Sequence, residues 1–114
     1  MSIHIRWMIR RDMAEVLDIE RSSFKFPWVE EEFIRCLRQR NCIGMVAEHD
    51  TRVVGFMIYE LHKTRLHILN LAVRDGYRLR GVGSLLISKL KSKLSEQRRR
   101  TITADVWDAN TGAQ

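Results

Sequence analysis

The segment Arg78-Leu79-Arg80-Gly81-Val82-Gly83-Ser84 puts two arginines, two glycines and a hydroxyl residue between an apolar stretch and the start of a helical pattern. A helix N-terminus leaves backbone N–H groups without intrahelical acceptors and carries partial positive charge. Glycine lets a ligand approach the backbone closely, and Arg78 and Arg80 add full positive charge. Such a site suits a pyrophosphate. A Walker loop requires GxxxxGK[ST], which is absent, and a dinucleotide fingerprint fails because Leu86 occupies its third glycine position. What remains is Arg-x-x-Gly-x-Gly, here Arg78, Gly81 and Gly83. The alternative is an ordinary strand-to-helix turn with no ligand.

The elements that position this loop follow from hydrophobic periodicity. Ile3, Ile5, Trp7 and Ile9 alternate with less apolar neighbours, which predicts a strand. Met13, Val16, Leu17 and Glu20 are spaced as in a helix from about Asp12 to Ser22, with Asp12 and Glu15 matching a capping box. Pro27 breaks the pattern in Phe24-Lys25-Phe26-Pro27-Trp28. A second helix follows, with Phe33, Ile34 and Leu37 on one face and Glu30 to Glu32 near its positive end. Cys42–Glu48 and Arg52–His62 read as a hairpin about His49-Asp50-Thr51, and Leu66–Val73 as a further strand. Val82, Leu85, Leu86, Leu90 and Leu94 predict a long helix, basic on its outer side, and Thr101–Trp107 a last strand.

The order is β-α-α-β-β-β-α-β, an α+β domain with a mixed sheet whose last two strands are parallel across a crossover helix. Its 114 residues suit a single domain, 1–114. A net charge of +6 is compatible with a nucleic acid, an anionic cofactor or an acidic substrate and does not choose among them. The dense basic run from Lys89 to Arg100 is read as a solvated helix face, so direct nucleic-acid binding is not expected. Cys36 and Cys42 are too few for a disulfide framework and match no zinc spacing; they are read as reduced thiols of a cytoplasmic protein. No apolar run reaches the roughly 20 residues needed to span a bilayer. His4, His49, His62 and His67 show no ligand spacing and are read as surface or strand residues, and no metal is expected.

Leu69-Asn70-Leu71-Ala72-Val73 followed by Tyr77 to Leu86 resembles motif A of the GNAT acetyltransferases, most closely those of the RimI type, which acetylate the N-terminus of a small-subunit ribosomal protein. Phe26-Pro27-Trp28 and Asp105-Val106-Trp107-Asp108-Ala109-Asn110 are similar to RimI-type segments at the same places. The resemblance implies acetyl-CoA as cofactor. Backbone groups of Leu71, Ala72 and Val73 would pair with its pantetheine arm, and Leu79, Arg80, Gly81, Val82, Gly83 and Ser84 would cradle its pyrophosphate, with Arg78 opening the motif. Asn110 would lie on the cofactor's far side, and Phe26-Pro27-Trp28 would line a peptide groove or plug the core. Asp105 matches the family's general base, with Asp where the family has Glu; on its strand it shares a face with Thr103 and Trp107.

The implied reaction moves an acetyl group from a thioester to an amine. An N-terminal amine is partly protonated at neutral pH and must lose a proton before it attacks. Asp105 reaches one methylene less far than Glu, which points to a water relay; its alternative is a solvated strand-end carboxylate. RimI-type domains continue past the Asn with a helix carrying a donor tyrosine and then more strands. This chain ends at Gln114, so that final helix, its strands and the donor are expected to be missing. The expectation is an N-acetyltransferase acting on a protein or peptide amine such as a ribosomal protein's, weakly active in isolation. The alternative is an acetyl-CoA-binding fragment that serves as an interaction module. An open last strand predicts a homodimer through the sheet edge.

Overall fold

The alternation near the N-terminus forms a strand, β1, over His4–Trp7, in a computed structural model that describes residues 1–105. It ends two residues before Ile9, which opens a 3-10 turn at Arg10–Asp12. Helix α1 spans Met13–Ser23 and α2 spans Glu30–Leu37. Strands β2 (Cys42–His49), β3 (Arg52–Leu61) and β4 (Arg65–Val73) follow. Helix α3 covers Val82–Lys91 and β5 covers Thr101–Ala104. One sheet holds the strands in chain order, β1-β2-β3-β4-β5. The first three pairings are antiparallel and β4 pairs β5 in parallel, as a crossover helix demands.

The sheet is covered on both faces, which is why β3 is apolar almost throughout. Val16, Ile19 and Phe33 from α1 and α2 pack on Val46, Phe56 and Ile58. Leu86 and Leu90 of α3 pack on Met45, Met57 and Leu66 from the other side. Gly55, in the middle of β3, lets α3 come close: a Cβ there would lie 3.0 Å from Val82 Cγ1. Trp28 packs edge-on against Phe33 at 5.1 Å, so that part of Phe26-Pro27-Trp28 plugs the core, while Phe26 is 84% exposed. Among the described residues, no helix is long and apolar enough to cross a membrane.

Several sequence expectations give way to tertiary contacts. Asp12 does not cap α1 with its side chain. Its Oδ2 instead accepts the Ile9 N–H at 2.8 Å, and both its oxygens bind the Arg6 guanidinium at 2.8 and 2.9 Å. Glu15, the other half of the expected box, reaches across to the Val53 N–H at 3.1 Å. Helix α3 stops at Lys91, short of Leu94, because the chain tightens into i→i−3 bonds, Lys93 N–H to Leu90 O and Leu94 N–H to Lys91 O. Leu94 still packs against the core from that turn, which is why its spacing imitated a longer helix. Strand β5 is described only to Ala104, with Trp107 outside the described residues. Lys89, Lys91, Lys93, Arg98 and Arg100 are exposed, but α3 ends at Lys91, so the last three lie beyond it and not on a helix face. Cys36 and Cys42 are free thiols with sulfurs 2.7 Å apart; hydrogen bonding to Cys36 and burial push the Cys42 thiol up.

Asp12 carries a stability prediction. Burial acts to raise its pKa, but the bonds from Arg6 and Ile9 outweigh burial and hold the carboxyl below its ordinary value. A lowered folded-state pKa gives stability that is present above the ordinary aspartate range and lost as pH falls through the folded value. Asp12→Asn is therefore expected to cost about 1–3 kcal/mol at pH 7 and progressively less as the pH is lowered below the ordinary aspartate range and through the folded value. Urea unfolding of both proteins at pH 7 and down through that range measures this; an equal difference throughout would refute it.

Candidate active site

The described length of β5 pairs with the first half of β4. Their register runs from Arg65↔Thr101 to Ile68↔Ala104, and Asp105 adds one bond, its N–H to Ile68 O at 3.2 Å. Past Ile68, β4 stays paired with β3 as far as Gly55↔Val73. Among the described residues no strand runs along its other edge there. The β3–β4 register shifts at Ile58/Tyr59, leaving Leu69 as an extra residue on β4, and such a bulge bends a strand away from its neighbour. Arg74 donates its N–H to Val54 O at 2.7 Å. Backbone groups alternate sides along a strand, so Leu71 and Val73 turn theirs to the open edge, and Ala72 turns its own toward β3. Such an edge is a template for the amides of an extended ligand.

The open edge runs into the glycine-arginine loop. Gly81 caps α3 at φ 89 and ψ 2, a left-handed conformation that costs any residue with a Cβ. A Cβ on Gly81 would meet nothing within 4 Å, so the space over the helix start is clear. The first intrahelical bond is Leu85 N–H to Gly81 O at 3.0 Å. The N–H groups of Val82, Gly83 and Ser84 therefore have no acceptor among the described residues, and no acidic side chain stands in the first turn. Leu79 holds a left-handed φ of 62 and is 97% exposed, an apolar side chain held out at a strained tip.

The two arginines differ. Arg78 donates Nε–H to Val73 O at 2.9 Å and Nη2–H to Ser23 Oγ at 2.9 Å. It latches the loop to β4 and α1. Arg80 is exposed and lies 5.6 Å from the Tyr77 ring centroid, so it is the arginine available to an anion.

Asp105 leaves the end of β5 with its side chain 44% exposed. Its Oδ1 lies 2.9 Å from His67 Nε2, and Thr103 Oγ1 lies 2.6 Å from His67 Nδ1. Thr103 and Asp105 share the face that alternation assigned them, and His67 is the residue that sequence reasoning passed over. It sits among apolar neighbours with no ligand spacing, and only the β4–β5 register brings it opposite Thr103. Asn110 lies outside the described residues. No group of His, Cys, Asp and Glu among the described residues could hold a metal. Tyr59 is buried, and burial pushes its pKa up; Tyr77 packs on His49, 5.8 Å between ring centroids.

Behind the open edge, Glu20 of α1 is 1% exposed. Its Oε2 accepts the Trp28 N–H and its Oε1 accepts from Asn70 Nδ2, both at 2.8 Å. This carboxyl ties α1, the α1–α2 connection and β4 together just past the described β4–β5 pairing. Asn70 Oδ1 is buried with no partner among the described residues.

Comparison with known families gives the class of protein to which this arrangement belongs. The model of the acetyltransferase (GNAT) family matches residues 13–114, and the chain belongs to that family. It is 34% identical over 88 residues to an uncharacterized N-acetyltransferase of Methanocaldococcus jannaschii, covering 77% of this chain and 56% of that protein. It is 27% identical over 111 residues to a putative [ribosomal protein bS18]-alanine N-acetyltransferase of Bacillus subtilis, covering 96% of this chain and 74% of that protein. Among solved structures, it superposes with a TM-score of 0.66 on the PaiA N-acetyltransferase of Thermoplasma acidophilum in complex with coenzyme A, at 19% identity and over 81% of this chain and 71% of that one. The chain thus spans little more than half the length of its archaeal relative.

Proposed function

We propose that this domain transfers an acetyl group from acetyl-CoA to a protein N-terminal α-amine in the cytoplasm, the acceptor being of the ribosomal-protein kind named for its Bacillus subtilis relative. The observation that carries the reading is the edge of β4 that no described strand covers, at Leu71 and the Val73 N–H (Val73 O being held by Arg78), leading to the N–H groups of Val82, Gly83 and Ser84, which have no acceptor among the described residues. An amide-bearing arm ending in a pyrophosphate fits that sequence of groups, and the clear space over Gly81 leaves room for it. Bound there, acetyl-CoA supplies an activated acetyl thioester.

The chain's own residues then have defined tasks. Leu71 and Val73 hold the arm in line with β4. Leu79 to Ser84 hold the phosphates, and Arg80 adds a charge that also draws the polyanion in. Asp105, with its Oδ2 uncommitted among the described residues, accepts the acceptor ammonium's proton directly or through water. Glu20 and Asn70 keep the α1–α2 connection against β4, which shapes the acceptor's approach. Self-association through the edge of β5 that no described strand covers belongs to the same reading.

A thermal-shift titration tests it. Acetyl-CoA at about 100 times its dissociation constant is expected to stabilise the fold by about 2.7 kcal/mol and raise Tm on the order of 10 °C. Arg80→Glu is expected to lose most of the shift. No shift in the parent protein would overturn the reading.

A further inference from the structure

The candidate base does not act from an isolated side chain. His67 and Thr103 are register partners across β4 and β5, on the rung before the last one among the described residues. Asp105 follows the last described rung, so three polar side chains, two from paired strands and one just past β5, meet there. The donor inventory orders them. An ionised carboxylate only accepts, so His67 Nε2 carries the hydrogen it shares with Asp105 Oδ1. With the ring in its neutral form, Nδ1 is then an acceptor, and the Thr103 hydroxyl 2.6 Å away can donate to it. The chain of bonds runs from Thr103 O–H to Nδ1 and from Nε2–H to Asp105.

We infer that His67 is a positioning residue for Asp105. Its imidazole, set in the Nε2–H tautomer by the Asp105 carboxylate and met at Nδ1 by the Thr103 hydroxyl, fixes the carboxylate through Oδ1 and leaves Oδ2 as the oxygen that meets the acceptor's proton. This rests on the acetyltransferase reading of Asp105 and deepens it. The ring is held on its other side as well. His62 lies edge-on to it at 6.2 Å, Glu60 binds His62 Nε2 at 2.9 Å, and Arg99 donates to His62 O. The His67 side chain is only 17% exposed, so the ring has little freedom to leave Asp105. A carboxylate at a strand end would otherwise rotate freely, and misplacement of a reacting group by about 1 Å can cost on the order of 100-fold in rate.

The test combines kinetics with a spectroscopic readout. His67→Ala is expected to lower kcat about 10- to 100-fold with acceptor KM little changed. His67→Gln, whose amide nitrogen takes the place of Nε2 but cannot become a cation, is expected to recover most of the loss. The double variant His67→Ala/Asp105→Asn is expected to be no slower than Asp105→Asn alone, as for residues acting through one group. In 15N NMR of the neutral ring, His67 is expected to show the Nε2–H tautomer, and Asp105→Ala is expected to mix the tautomers. A His67→Ala protein at the parental rate beside a slow Asp105→Asn protein would overturn the inference. So would mixed tautomers in the parent protein. If Asp105→Asn keeps the parental rate, the role of Asp105 as base falls instead, and the tautomer signal still decides whether His67 holds it.

Discussion

Gly81→Asp is expected to weaken coenzyme A binding at least about 100-fold, equivalent to about 2.7 kcal/mol, while the domain stays folded. The two halves of that expectation have separate causes. Gly81 sits at φ 89, where a Cβ costs about 1–2 kcal/mol, but Asp tolerates that region better than most residues. A carboxylate at the cap of α3 also interacts favourably with the first-turn N–H groups and the helix dipole, which offsets part of the strain. The same carboxylate occupies the clear space over the helix start and presents negative charge where a pyrophosphate would lie. Gly81→Asn has nearly the same shape without the charge and is expected to bind measurably better than Gly81→Asp. Calorimetric titration with coenzyme A, alongside melting curves for the three proteins, separates charge from fold. An unchanged dissociation constant in Gly81→Asp would mean that the helix N-terminus is not the phosphate site.

That loop was legible in the sequence because its signal is compositional. Glycines and arginines between an apolar strand and a helical pattern have few uses, and both neighbours were identifiable from periodicity alone. The order of strands and helices was legible for the same reason, since each element repeats its apolar residues over several turns or alternations. What escaped were side-chain assignments that depend on which strand lies beside which. Asp12 looks like a cap for α1 until β1 brings Arg6 against it. Arg78 looks like a free cation until the end of β4 and Ser23 are seen to enclose it. His67 looks like a stray strand histidine, because its bonds to Thr103 and Asp105 cross between residues 36 and 38 positions apart, at a register no local pattern encodes. Propensity and period determine which elements form; the partners of polar side chains are determined by packing.

Glu20 is a second case of this kind, and it carries the largest expected effect on stability. Its helical spacing placed it with Met13, Val16 and Leu17 on the inner face of α1, where a carboxyl has no local reason to be. The structure supplies the reason, since both oxygens are occupied by buried donors, the Trp28 N–H and Asn70 Nδ2. Glu20→Ala would strip both donors of their acceptor and leave a cavity, and is expected to cost about 3–5 kcal/mol, a large fraction of a small domain's stability. Glu20→Gln behaves differently. Burial, opposed by the bonds from Trp28 and Asn70, raises the Glu20 pKa above its ordinary value of 4.5. A group whose folded pKa is raised contributes stability that is complete below its ordinary pKa and is lost as pH rises through the folded value. Glutamine removes that loss. Its oxygen can keep the Trp28 N–H while its amide donates to the otherwise unpartnered Asn70 Oδ1, once the Asn70 amide turns over. Glu20→Gln is therefore expected to match or exceed the parent protein in stability at pH 7 and to gain nothing over it near pH 4. Denaturant unfolding across that interval decides the matter: a Glu20→Gln protein as unstable as Glu20→Ala would show that the negative charge itself, rather than the pair of acceptors, holds the α1–α2 connection to β4.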